Sequence, residues 1–177
     1  MIRHVVAVIA LVVLCSCGQQ SPRDDSFRVY LLREFDFAEY PEEPFDFDPH
    51  EFDLESVELP VEPWIREDAV VAYQWPQHIV RVDGSVEEVL PEHRSHGMAF
   101  MVVAGGDRRY IGTLWSPLSS FRPPRVPIIH YADVEDDDSF TIHRTYVGDE
   151  VPDVRNDPEV YESLKALGKL SEERRNP

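Results

Sequence analysis

His93 and His96, two imidazoles three residues apart, are the side chains best suited to chemistry in this chain. On a helix they would share a face. With His130 or His143, expected on strands, they would complete a set of nitrogens that zinc accepts, the basis of a metal-dependent hydrolase. Pro91 and Gly97 bracket the pair, however, and favour a loop carrying two exposed histidines. Nucleophilic catalysis has less behind it: no serine stands in a Gly-x-Ser-x-Gly elbow, and Ser95, beside His96, lacks a glycine framework. Asp133 and Glu135 to Asp138 offer calcium its oxygen ligands, but the spacing and central glycine of an EF-hand are missing, and an exposed hairpin tip is the plainer reading. Trp115 at a hairpin end, with Tyr110, Ser116, Ser119 and Ser120, would make a polar–aromatic rim for a ligand. The plainer alternative is a core tryptophan above a hydrogen-bonded turn. No motif asks for a cofactor.

The elements that must position these groups follow from pattern. Phe27–Leu32, Ala69–Trp75, His78–Val82, Ala99–Ala104, Arg109–Trp115, Val126–Tyr131 and Phe140–Tyr146 have strand character. Pro127 pushes the sixth of these to an edge or a strand start. Gly105-Gly106 makes 99–115 the clearest hairpin, with Phe100, Val102, Ile111 and Leu114 as its buried face. Ser85-Val86-Glu87-Glu88 reads as a capping box for one short helix, cut off by Pro91. Asp157 as N-cap, Pro158 at N1, a stripe of Val160, Tyr161, Leu164 and Leu167, and Gly168 as the stop mark a C-terminal helix. The expected fold is α+β: a single domain with a mainly antiparallel sheet of five or six strands, one short internal helix and a C-terminal helix. Between Glu34 and Pro63 lie twelve carboxylates, five prolines and no Lys or Arg. Phe35, Phe37, Phe45, Phe47 and Phe52 alternate with the acids there. The prolines break any long strand, leaving an extended loop whose rings lie on the domain, or a disordered acidic–aromatic arm.

The chain opens Met1-Ile2-Arg3-His4 and continues with an unbroken apolar run from Val5 to Leu14. A basic start and a short apolar core are the marks of a secretory signal peptide. The run is about half of what a bilayer-spanning helix needs. Leu14-Cys15-Ser16-Cys17 resembles the lipobox of bacterial prolipoproteins. The resemblance implies cleavage before Cys17, diacylglycerol on its thiol and N-acylation, with palmitate among the usual chains. Gly18, the next residue, implies outer-membrane sorting, facing the periplasm, in a Gram-negative host. An ordinary cleaved signal peptide is the alternative. The organisation is then a signal peptide over 1–16, a lipidated tether over 17–26, the first strand and acidic–aromatic segment over 27–63, a compact α+β domain over 64–170 and a charged tail over 171–177.

With Cys15 removed and Cys17 lipidated, no thiol remains for disulfides, four-cysteine zinc or thiol catalysis. The chain carries −17, and loss of Arg3 with the signal makes the mature form −18. Such a charge repels nucleic acid and favours cationic partners, or it serves solubility alone. Gly97-Met98-Ala99-Phe100, Tyr110 to Ser120 and the closing Gly168-Lys169-Leu170 resemble an uncharacterised family of small bacterial lipoproteins, across residues 64–170. That likeness implies no activity. The sequence therefore supports a lipid-anchored envelope protein, held to the membrane through Cys17, that binds without catalysing. The alternatives are an inhibitor of a basic envelope enzyme such as a lysozyme, and the metal-dependent hydrolase at His93 and His96.

Overall fold

The computed structural model describes residues 25–37, 47, 49, 51–85, 97–120, 123–131, 138–145 and 152–171. Cys17, His93, His96, the helix expected after Ser85, and most of the 133–138 acidic cluster lie outside them. Seven strands form: β1 (Phe27–Leu32), β2 (Val70–Gln74), β3 (Ile79–Val82), β4 (Met98–Ala104), β5 (Asp107–Trp115), β6 (Ile128–His130) and β7 (Ser139–His143). The sheet order is β1-β4-β5-β6-β7-β3-β2, and every pairing except the parallel β5–β6 is antiparallel. The α+β class holds, but with seven strands instead of five or six. Of the two places expected for Pro127, the strand start is the one found: it sits just before β6, where its missing N–H is harmless, and β6 itself lies inside the sheet. One α-helix, α1 (Pro158–Ala166), is present among the described residues.

The sheet curls so that its ends approach. Ile65, five residues before β2, exchanges hydrogen bonds with Val29 of β1, at 2.9 and 3.0 Å. Helix α1 packs against β1 and β4 through Val160 and Leu164. Asp157 caps it by accepting from the N–H groups of Glu159 and Val160, and Gly168, at φ 67°, turns the chain out. Leu170 then docks on β2, with the Tyr73 N–H donating to the Lys169 carbonyl. This covers an edge that would otherwise present unpaired backbone groups.

Two apolar layers hold the fold. The inner one joins Phe27, Phe100, Val102, Tyr110, Leu114, Phe140, Val160 and Leu164. The outer one lies on the other face of β1, β4 and β5, where Tyr30, Met101, Val103 and Ile111 meet Phe37, Phe47 and Val57. The described rings of the acidic–aromatic segment, Phe35, Phe37, Phe47 and Phe52, thus pack on the sheet, and β4 is buried on both faces, as its unbroken apolar sequence demands. Arg108 pins the segment, donating to the Leu54 carbonyl and to Glu55, each at 2.9 Å.

Ile111 needs a correction. It faces the outer layer, and Tyr110 takes the inner place. Ile111 and Leu114 are an odd number of residues apart, so a strand of period two cannot put both on one face. Tyr110 is four residues from Leu114 in an unbroken stretch of the ladder and pairs with inward-facing Val102; the bulge comes only after it, at Arg109, where Val103 pairs Arg108.

Candidate functional site

A cleft of about 720 Å³ opens where β1 ends and the segment 56–64 passes over it. Its apolar surfaces come from Leu31, Val57, Leu59 and Trp64. The Trp64 ring is held by stacking on Phe140, 6.0 Å between centroids. Glu34, Glu58 and Glu62 stand exposed around the opening, and Arg33 is the cation among the lining residues. Carboxylates over a low-dielectric floor focus a negative potential on whatever enters. The cleft suits a ligand with basic groups on an apolar or extended frame. Sequence pattern puts Leu31 in the first strand, Glu58 and Glu62 in the acidic–aromatic loop or arm, and Trp64 at the start of the compact domain. The signal that could have found them is a tryptophan directly after two prolines and an acid, Pro60 to Trp64.

A second polar group lies inside the fold. His78, in the β2–β3 turn, is 3% exposed and takes a left-handed backbone, φ 53°. Its Nδ1 and the Tyr73 hydroxyl share a hydrogen bond of 2.9 Å. Arg155 grips Asp153 with two donors, at 2.7 and 2.6 Å, and donates a third bond to the Ile142 carbonyl at 2.7 Å. Burial first, and then the Arg155 charge, push His78 down from 6.5 to about 4, although Asp153 and Asn156 oppose the shift. Burial likewise raises the Tyr73 and Tyr110 phenols, so both stay neutral. Tyr73 and His78 form a neutral structural brace beside the Arg155–Asp153 ion pair.

A histidine whose folded pKa is depressed takes up its proton more readily in the unfolded chain. Its contribution is complete above pH 6.5 and is lost as the pH falls towards about 4. Asp153, where Arg155 overcomes the desolvation that would raise it, is also held low and loses stability in the same direction. Comparing urea midpoints of wild type and His78→Asn at pH 7 and pH 4.5 isolates the histidine, since asparagine tolerates the left-handed backbone. The wild type should lose about 2 kcal/mol more than the variant on acidification. Parallel losses would mean that His78 is not held neutral.

The residues singled out in the sequence are distributed as follows. Tyr110, 2% exposed, points inward, and its hydroxyl has no hydrogen-bond partner among the described residues. Trp115 is buried, and strand alternation turns it to the face opposite Tyr110. It lies against Gly97, where an added Cβ would come within 2.7 Å of the indole. Ser116 is buried in the following turn, its Oγ accepting from the Leu118 N–H at 3.2 Å. Ser119 is half-buried and Ser120 exposed. Tyr110 and Trp115 are therefore not brought to one rim. His130 and His143 do meet, with ring centroids 5.1 Å apart. Among the described residues no three His, Cys, Asp or Glu side chains are placed to hold a metal ion. Nor is any described helix long and apolar enough to cross a membrane.

Fold and cleft together describe a small α+β domain with one curled sheet and an acid-rimmed groove at its first strand. No family model, curated protein or solved structure matches the chain.

Proposed function

We propose that this is a lipid-anchored envelope protein, tethered through Cys17, that works by binding a cationic partner in the cleft beside β1. The observation that carries the reading is the cleft itself: about 720 Å³, apolar in its floor and edged by Glu34, Glu58 and Glu62. A chain of net charge −17 adds a long-range attraction for basic molecules. The partner can be a basic envelope enzyme, such as a lysozyme, in which case occupation of the cleft would be inhibition.

The anchor and the cleft have separate tests. Cys17→Ser removes the thiol that would accept lipid, and the protein should move from the membrane fraction to the soluble one, because several acyl chains hold far more firmly than none. Unchanged fractionation would end the anchor reading. For the cleft, the detergent-solubilised full chain is titrated with a peptide alternating lysine and valine, following tryptophan fluorescence. Binding should weaken with salt, and Glu58→Gln with Glu62→Gln should weaken it by about three- to tenfold. A double variant that binds like wild type would place the cationic partner elsewhere.

A further inference from the structure

We propose that the ligand is an extended peptide that joins the sheet as an added strand, pairing its backbone with Leu31 on the open edge of β1; this rests on the reading of the cleft as a cationic site. Antiparallel strands turn alternate residues towards and away from a given neighbour. The N–H and C=O of Val29 are turned away from β4, since both are bonded to Ile65. By the same period Leu31, paired with Phe100 on β4, directs its N–H and C=O to that outer side.

The chain's own pairing stops there for a chemical reason. If Ile65 and Val29 exchange bonds, the next exchanging pair is Pro63 with Leu31. Proline has no N–H for the Leu31 carbonyl to accept. The Trp64 N–H instead doubles up on the Val29 carbonyl, at 2.7 Å, as the chain swings off the edge. No backbone hydrogen bond from outside the sheet reaches Leu31 among the described residues. Both Leu31 and Pro63 line the cleft, so the open edge faces its space.

A peptide laid along this edge gains main-chain hydrogen bonds from Leu31, while its alternate side chains meet the apolar floor and the carboxylate rim. Charge complementarity selects an extended peptide carrying lysine or arginine. The opposing view is that Pro60, Pro63 and the acids only guard an exposed edge against unwanted pairing.

Three lysine–valine peptides of one sequence decide between them: the parent, one N-methylated on its lysines and one N-methylated on its valines. In a strand only one of these registers faces β1. The parent should slow exchange of the Leu31 amide in the full-length protein by about tenfold. One N-methylated peptide should bind about tenfold more weakly, and the other within about threefold of the parent. Equal binding by all three, or an unchanged Leu31 amide in the bound state, overturns strand addition while leaving the cleft a cationic site. Failure of the parent to bind at all overturns both.

Discussion

Gly112→Ala should be among the most damaging single changes in the protein, although it adds one methyl group. Gly112 on β5 is paired directly with Phe100 on β4, and the phenyl ring lies over the glycine. A Cβ at position 112 would clash with the tip of that ring, nearest to Cζ and within 2.6 Å of Cε1 and Cε2. The backbone at 112 does not have positive φ, so the exclusion is purely steric. Phe100 is fully buried at the centre of the inner layer and has nowhere to move. Overpacking of this kind costs about 1–3 kcal/mol where side chains can shift, and more where they cannot; about 3 kcal/mol or more is expected here. Phe100→Ala should cost about 3–5 kcal/mol by leaving a cavity.

The two positions should be strongly coupled. Gly112→Ala combined with Phe100→Leu removes the clashing ring carbons, so the double variant should recover about 1–3 kcal/mol relative to the sum of the single changes. Urea midpoints of the four proteins give the coupling directly. Additive losses, or a Gly112→Ala midpoint equal to wild type, would show that the ring does not lie over the glycine.

Phe47→Ala should be comparably severe, at about 3–5 kcal/mol. Phe47 is 6% exposed, and its ring lies 5.1 Å from Phe37 and 5.0 Å from Phe52. Phe35 closes the group, 5.0 Å from Phe37 and 5.7 Å from Phe52. Three of these four contacts are edge-on, the arrangement aromatic quadrupoles favour. The quartet is the outer cover of β1, β4 and β5, so opening it exposes Met101 and Ile111 as well. A protease specific for glutamate should cut the Phe47→Ala protein rapidly between Glu34 and Glu62 and the wild type slowly. Val61→Ala, at a residue 95% exposed, is the control and should change neither stability nor cleavage. A Phe47→Ala midpoint equal to wild type would make the segment a recruitment arm and not a layer of the fold.

The residues written into the chain as local signals are the ones whose structure could be read beforehand. Asp157, Pro158 and Gly168 cap, start and stop α1 through hydrogen bonds that close within a few residues, so sequence neighbours suffice to specify them. Gly105 and Gly106, both at positive φ, do the same for the β4–β5 hairpin. The facing of Tyr110 and Ile111 was less legible, because both faces of β4 are apolar, which removes the alternation that normally marks the core side. Pairing order, the parallel placement of β6 and the approach of Ile65 to Val29 belong to the tertiary structure alone. These contacts join residues far apart in the chain, and their hydrogen bonds are of the same kind whichever strands exchange them. The cleft is the clearest case. Pro63 and Leu31 are unremarkable as isolated residues, and only when Ile65 is brought against Val29 does the missing N–H of a proline leave a strand edge open beneath a ring of carboxylates.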